Sequence, residues 1–193
     1  MLKITGGALR GRNLQTPPGL DTRPTGAKVR QALFNILAQR VPGARLADLF
    51  AGPGTLGIEA LSRGAAHCLF VESRREVARL LTANLTALGL LDRATVLVAD
   101  AARPGPGLTS HGPLDLLLAD PPYNQGQVAR LSALGAAGDF LAPGGLMVIE
   151  HSPQEQPTPT PGLVLADQRR YGQTMLSFLA RRPAEPLAER STS

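Results

Sequence analysis

Four adjacent residues, Asp120, Pro121, Pro122 and Tyr123, form the stretch of this sequence with the most specific chemistry. They follow the apolar run LLLA, and two adjacent prolines cannot donate hydrogen bonds to a sheet, so a buried strand must end here. The rigid corner fixes a carboxylate, a backbone carbonyl and an aromatic ring. The two acceptors can take the N–H bonds of an exocyclic amine on a nucleobase, while the ring stacks on the base. The motif therefore predicts a site that turns such an amine towards an electrophile.

A glycine-rich turn lies earlier in the chain. Gly52, Gly54 and Gly57 form a GxGxxG pattern that follows a predicted strand and opens a predicted helix. Glycines let the backbone approach a ligand closely, and the start of a helix offers unpaired N–H groups. The motif alone fits either a tight turn or a cofactor loop.

Acidic residues end three successive predicted strands. Asp48, Glu72 and Asp100 thereby reach the carboxyl edge of the sheet, where acids either cap helices or accept hydrogen bonds from ribose hydroxyls. This pattern favours an adenosine cofactor and leaves a nicotinamide dinucleotide possible. The corner at Asp120 favours S-adenosylmethionine, because its sulfonium methyl group is the electrophile that an oriented amine requires. The candidate cofactor residues are Asp48, Ala51, Gly52, Gly54, Glu72, Asp100 and Ala101.

Strands and helices alternate regularly after residue 45. Hydrophobic periodicity and turn residues predict five strands, then two more after a proline-rich loop. We expect an α/β, Rossmann-like, doubly wound mixed sheet with a terminal antiparallel hairpin. The predicted strands are 45–50, 67–72, 94–100, 113–120, 144–151, 163–171 and 174–182. The predicted helices are 25–40, with Thr25 as its N-cap, 55–64, 74–89 and 126–138.

The basic residues are concentrated at the N-terminus. The net charge is +5, and residues 1–45 carry eight basic side chains but only one acid, Asp21. This asymmetry favours an anionic partner, most simply nucleic acid, over a merely solvated surface. A small hairpin followed by the first helix would present these charges as a basic arm. The candidate phosphate contacts are Arg10, Arg12, Arg23 and Arg30.

The composition excludes several other classes. With 193 residues and one cysteine, Cys68, the chain has no disulfide framework, and its three histidines lack zinc spacing. No apolar run approaches a membrane span and no secretory signal is visible, so we expect a cytoplasmic, metal-free protein. Cys68 is expected in the core and His151 at the surface. The predicted division is a basic extension (1–44), a main domain (45–182) and a disordered tail (183–193).

The sequence resembles the class I methyltransferases, and specifically the RsmD-type 16S rRNA (guanine-N2)-methyltransferases, over residues 2 to about 182. The resemblance implies S-adenosylmethionine as cofactor, methyl transfer to guanine N2, and action as a monomer on an assembled or assembling small ribosomal subunit. The motifs that carry it are GGALRGR (6–12), RPTGAKVRQALFNIL (23–37), DLFAGPGTLGIEALSRGA (48–65), the strand ending in Glu72, DPPY (120–123) and YGQTMLSFL (171–179).

Three other interpretations stay open. A methyltransferase acting on amines of DNA or of another RNA would use the same corner, although such DNA enzymes carry a large target-recognition domain instead of a basic N-terminal segment. A nicotinamide dehydrogenase shares the glycine loop but gives Asp120 no role. A non-catalytic RNA-binding assembly factor would keep its binding after the loss of Asp120.

Overall fold

The main sheet contains seven strands in the computed structural model, which describes residues 2–17, 24–103 and 105–182. Two further short strands near the N-terminus pair with each other. The strands are β1 Leu2–Lys3, β2 Asn13–Leu14, β3 Arg45–Asp48, β4 His67–Glu72, β5 Ala94–Val98, β6 Leu114–Ala119, β7 Leu141–His151, β8 Leu163–Tyr171 and β9 Thr174–Arg181. The α-helices are α1 Pro24–Ile36, α2 Thr55–Ser62, α3 Arg75–Leu88, α4 Pro106–Thr109 and α5 Gln127–Ala136.

The strand order of the main sheet is β5-β4-β3-β6-β7-β9-β8. The first five strands in this order run parallel, whereas β9 lies antiparallel between β7 and β8. The chain winds outward from β3 to β5 and then returns to the other side of β3 with β6. The carboxyl ends of β3 and β6 therefore flank the switch point at which open α/β sheets bind ligands. The predicted mixed sheet with a terminal hairpin is confirmed.

Strand β6 is buried on both faces, as its continuous apolar run predicts. Leu116 and Leu118 belong to the core cluster shared with α1, α2 and α3, whereas Leu117 and Ala119 belong to the cluster shared with α5. Side chains alternate between the faces of a strand, so each face anchors two residues. The end of β6, and with it Asp120, is consequently fixed at the sheet edge.

The N-terminal hairpin packs on the main core. Ile4 and Leu14 are buried in the same cluster as Phe34 of α1. The buried carboxylate of Glu59 in α2 accepts hydrogen bonds from the backbone N–H and the hydroxyl of Thr5, at 2.7 and 2.8 Å. The hairpin is therefore seated on α2 through both apolar and polar contacts.

The bounds of α1 and β7 differ clearly from the predicted ones. Helix α1 begins at Pro24, so Thr25 lies in the first turn and its prediction as the N-cap is wrong; proline suits this position because the first N–H of a helix has no internal partner. The helix ends at Ile36 rather than near residue 40. Strand β7 starts three residues early because Leu141 pairs with Leu114 across an irregularity in the register.

The short helix α4 and a 3₁₀ turn at Leu91–Arg93 were not predicted. Arg23 and the tail 183–193 lie outside the described residues, and the division into 1–44 and 45–182 stays a prediction.

Cys68 is buried in β4, as expected, whereas His151 is fully buried and its prediction as a surface group is wrong. Within the described ranges, no helix combines the length and apolarity needed to cross a bilayer.

Candidate active site

The glycine loop lies between β3 and α2, at the carboxyl edge of the sheet. Gly52 and Gly54 have φ values of +51° and +95°, in the left-handed region that favours glycine. A Cβ on Gly54 would approach Leu81 Cδ1 to 2.5 Å, whereas a Cβ on Gly52 would meet open space. Gly54 is thus required by packing, and Gly52 leaves room for a ligand to approach the backbone.

Asp48 supports this loop from inside the protein. Its side chain is 1% exposed and accepts a hydrogen bond of 2.8 Å from the backbone N–H of Gly57, in the first turn of α2. Burial raises the pKa of Asp48 to about 7, against the opposing effect of the Gly57 hydrogen bond. The geometry indicates that Asp48 stabilises the loop from the protein interior.

Glu72 ends β4 beside the loop and fits a ribose. Its two carboxylate oxygens accept hydrogen bonds from the backbone N–H groups of Gly52, at 3.0 Å, and Arg74, at 2.8 Å. Each oxygen has a further lone pair that a hydroxyl donor can use. The neighbouring Ala51 is buried and donates its N–H to the carbonyl of Val71 at 3.0 Å. Glu72 thus keeps acceptor capacity for a hydroxyl donor, and the roles of Glu72 and Ala51 in cofactor binding stay predictions.

Asp100 lies two residues beyond the end of β5 rather than at its last position. Its side chain is exposed, and Oδ1 accepts a hydrogen bond of 2.9 Å from the backbone N–H of Ala102. Ala101 between them is buried. A third acid therefore follows the strand next to β4, as the sequence predicts.

The predicted catalytic corner at residues 120–123 follows β6 directly. Asp120 and Pro122 are exposed, whereas Pro121 is buried and Tyr123 is partly buried. The prolines end the strand, and the acid lies on the same edge as the glycine loop because β3 and β6 are parallel neighbours. The structure thus brings the predicted amine-orienting group and the predicted cofactor loop to one edge.

Two residues that the sequence did not single out anchor the ring of Tyr123. Its hydroxyl donates to Glu150 Oε1 at 2.9 Å and lies 3.2 Å from Thr174 Oγ1. Burial and the nearby Glu150 carboxyl raise the pKa of Tyr123, and burial also raises the pKa of Glu150. The phenol therefore stays protonated and holds the ring by its outer end. The motifs VIEH and YGQT contain these partners, but only the pairing of β7 with β9 brings them together.

The arm residues differ from one another in exposure. Arg10 and Arg12 are exposed, and Arg12 Nη2 lies 3.4 Å from the carbonyl oxygen of Ala87 at the end of α3. Arg30 is only 6% exposed, pairs with Glu59 at 3.5 Å and donates to the carbonyl of Lys3 at 2.6 Å. The prediction of Arg30 as a phosphate contact is wrong in this structure, because its guanidinium holds the arm to the core.

Asn84 of α3 connects the arm to the glycine loop. Its side chain is 3% exposed and exchanges two hydrogen bonds with the backbone of Gln15, at 2.9 and 3.0 Å. The same amide donates to the carbonyl of Pro53 at 3.0 Å. One side chain therefore fixes the chain after β2 and the centre of the cofactor loop. Sequence patterns give no signal for it, because an asparagine inside a helix has no fixed meaning.

The parallel strand order, the antiparallel terminal hairpin and the site at the switch point define a class I, Rossmann-like methyltransferase. The chain belongs to the RsmD family, whose model is described as conserved hypothetical protein 95 and matches residues 2–180. Among the described residues, no group of three or more side chains is arranged to hold a metal ion.

Two relatives and one solved structure illustrate the similarity. The chain is 35% identical over 184 residues to YlbH of Bacillus subtilis, provisionally named an rRNA methyltransferase, covering 94% of this chain and 100% of that protein. It is 37% identical over 150 residues to ribosomal RNA small subunit methyltransferase D of Escherichia coli, covering 77% and 74% of the two chains. A structure of yhhF from Escherichia coli, provisionally titled a methyltransferase, has a TM-score of 0.81 at 32% identity and covers 94% of this chain and 98% of its own.

Proposed function

We propose that this protein transfers a methyl group from S-adenosylmethionine to the exocyclic N2 amine of a guanine in small-subunit rRNA. The observation that carries the proposal is the rigid Asp120–Tyr123 corner, held at the same sheet edge as the glycine loop. The relatedness to methyltransferases named for small-subunit rRNA supports the substrate.

The corner orients the amine rather than activating it by deprotonation. The amine of guanine is a poor nucleophile because its lone pair is delocalised into the ring. The Asp120 carboxylate and the Pro121 carbonyl accept its two N–H bonds, which turns the lone pair out of conjugation, and the Tyr123 ring stacks on the base. No strong base is needed, since the amine becomes acidic as the new N–C bond forms and its proton leaves through the hydrogen bond to Asp120.

The glycine loop and the strand-end acids would hold the cofactor. Gly52 and Gly54 shape the backbone that approaches it, Glu72 and Asp100 accept hydrogen bonds from its hydroxyl and amine groups, and Asp48 braces the loop. When bound, S-adenosylmethionine supplies the electrophilic sulfonium methyl group. Ala51 and Ala101 complete the lining next to these acids.

The basic arm would grip RNA phosphates outside the pocket. Arg10 and Arg12 are exposed on a hairpin seated beside α2, and they would contact the backbone of an RNA whose target base has left its stack. We further propose that the protein is a monomer and acts in the cytoplasm on an assembled or assembling small subunit. A single-stranded loop in that subunit would lower the free-energy cost of moving the target base out of its stack.

The test is methyl transfer from labelled S-adenosylmethionine to small subunits that lack native methylation, with the product nucleoside identified by mass spectrometry. We expect N2-methylguanosine, and its loss in Asp120→Ala, with the cofactor still bound. Methylated adenine or cytosine would keep the amine chemistry and refute the guanine assignment. Cofactor binding without transfer to any small-subunit RNA would refute the proposed substrate.

A further inference from the structure

A clasp joins the segment after the catalytic corner to the loop that follows β7. The Glu155 carboxylate accepts hydrogen bonds from the backbone N–H groups of Asn124, at 2.7 Å, and Gly126, at 2.8 Å. The Ser152 hydroxyl donates to the side-chain oxygen of Asn124 at 2.7 Å. We call these three hydrogen bonds the Glu155 clasp. It joins the proline-rich loop to Asn124, the residue directly after Tyr123. The proline-rich loop has no role in the proposed chemistry.

The clasp holds a residue in an unfavourable conformation. Asn124 has φ +59°, and no other non-glycine residue in the described parts of the chain has a positive φ. A left-handed conformation is unfavourable for an L-residue, less so for asparagine, and persists only where the surroundings hold it. Because Asn124 follows Tyr123 directly, this conformation sets the direction in which the chain leaves the stacking ring.

We propose that Glu155 is a positioning residue for the target base, an inference that rests on the proposed function of the corner. The Tyr123 side chain is then fixed at two points. Its hydroxyl is held by Glu150 and Thr174, and its backbone is held through the clasp on Asn124. With only the hydroxyl fixed, the ring pivots about its outer end, and the base plane loses its alignment with the Asp120 carboxylate.

The chemistry of the clasp requires a carboxylate. Glu155 presents one oxygen to each N–H, at distances typical of charge-assisted hydrogen bonds. Glutamine has one acceptor oxygen, and its NH₂ group would face the second N–H. Glu155→Gln therefore breaks one of the two hydrogen bonds that Glu155 accepts in the clasp, with almost no change in volume.

A purely structural role for Glu155 must be separated from this one. Gly126 is the N-cap of α5, so the carboxylate also lies at the positive end of a helix. Helix capping alone predicts a lower melting temperature with no change at Tyr123. Positioning predicts a change in the environment of Tyr123 and in turnover, with cofactor binding intact.

The chain offers a spectroscopic probe of the corner. It contains no tryptophan and two tyrosines, so in a Tyr171→Phe background the emission of the protein comes from Tyr123 alone. In that background we compare Glu155→Gln with Gln154→Ala, an exposed neighbour in the same loop. The measurements are acrylamide quenching of the emission, affinity for S-adenosylmethionine, melting temperature, and kcat and KM with small subunits.

We expect Glu155→Gln to make Tyr123 more accessible to acrylamide and to lower kcat/KM roughly tenfold to a hundredfold, with unchanged cofactor affinity. Gln154→Ala should match the parent in every readout. Parent-like emission and kinetics in Glu155→Gln would overturn the proposal, including when the melting temperature falls, since that result assigns Glu155 to helix capping. If the parent itself methylates no RNA, the proposed function fails on its own, and greater exposure of Tyr123 in Glu155→Gln would still support the clasp.

Discussion

Substitutions can separate the proposed stacking of the Tyr123 ring from the anchoring of its hydroxyl. Tyr123→Phe keeps the ring but loses the hydrogen bonds to Glu150 and Thr174, so we expect a loss in kcat/KM of roughly fivefold, or about 1 kcal/mol. Tyr123→Ala also removes the stack and should cost a further ~1–3 kcal/mol. Steady-state methyl transfer to small subunits measures both, with Tyr171→Phe as the control for a lost phenol. Equal losses in the two Tyr123 variants would argue against stacking.

The buried carboxyl of Asp48 makes stability depend on pH. Its pKa of about 7 in the folded protein lies above the value of 3.8 for an unperturbed aspartate, so the folded state holds the proton more tightly. Between about pH 4 and pH 7 the contribution of Asp48 to the free energy of unfolding should therefore fall as the pH rises, by at most about 1.4 kcal/mol per pH unit.

Asp48→Asn keeps an acceptor for the Gly57 N–H and removes this titration. We expect the melting temperature of the variant, relative to the parent, to rise steadily across the same pH range in the absence of cofactor. Thermal unfolding followed by circular dichroism gives the comparison. A difference that is independent of pH would show that Asp48 is already charged in the folded state.

At the scale of single residues, local motifs predicted the positions of side chains most reliably. The DPPY corner and the GxGxxG loop occupy the predicted edge because both depend on backbone rules that act within a few positions. The exposure of Arg30 could not be predicted in this way, since its partner Glu59 comes from a different helix. His151 was misjudged for the same reason: it is buried against Ser177 of β9 at 2.7 Å, a strand that follows much later in the chain.

Among the elements, helix α3 has a role beyond covering the sheet, through Asn84. Asn84→Ala removes three hydrogen bonds and leaves the N–H of Gln15 and the buried carbonyl of Pro53 without that partner. We expect a loss of roughly 2–3 kcal/mol in the free energy of unfolding. Affinity for S-adenosylmethionine should also fall, because Pro53 is the centre of the glycine loop. Urea denaturation and calorimetric titration measure the two effects.

Thr86→Ala is the matched control on the same helix. Thr86 is exposed, and its hydroxyl contacts only the preceding turn of α3, so its loss should change neither quantity by more than ~0.5 kcal/mol. Full cofactor affinity in an otherwise destabilised Asn84→Ala variant would show that the loop holds its shape without this contact.

Element positions were predicted well wherever burial imposes a period. The sequence predicts the alternation of buried side chains in β6 and the apolar face of α3. It also predicts the end of α3 at Gly89, which has a left-handed conformation. The early start of β7 was not, since Leu141 joins the sheet through a register irregularity opposite Leu114. Helix α4 has only four residues, too few to show a hydrophobic period.

For the whole molecule, we expect the uneven charge to make the proposed RNA binding sensitive to salt. Arg10→Ala and Arg12→Ala should each weaken binding to the small subunit and reduce the slope of log K against log salt by about one, if each side chain neutralises one phosphate. Affinity for S-adenosylmethionine should stay unchanged. Filter binding at several salt concentrations gives the slopes.

Arg40→Ala removes the same charge from a position outside the hairpin. Arg40 is exposed and lies 3.3 Å from the carbonyl of Gly144, near the amino ends of β6 and β7. We expect it to leave the slope unchanged, because Arg40 lies outside the hairpin that carries Arg10 and Arg12. A slope that falls equally in all three variants would indicate a diffuse electrostatic attraction without a specific arm.

Helix α2 sets the distance between the glycine loop and the basic arm. It begins at Gly54 of the glycine loop, and its last residue, Ser62, accepts the N–H of Ala8 at 2.8 Å and so fixes the arm. Its eight residues span about 12 Å. One additional helical turn would move the arm by about 5.4 Å, more than the ~3.4 Å rise per nucleotide along a strand of DNA. If Arg10 and Arg12 bind phosphates as proposed, we expect the length of this short helix to set the distance along the RNA between the methylated base and those phosphates.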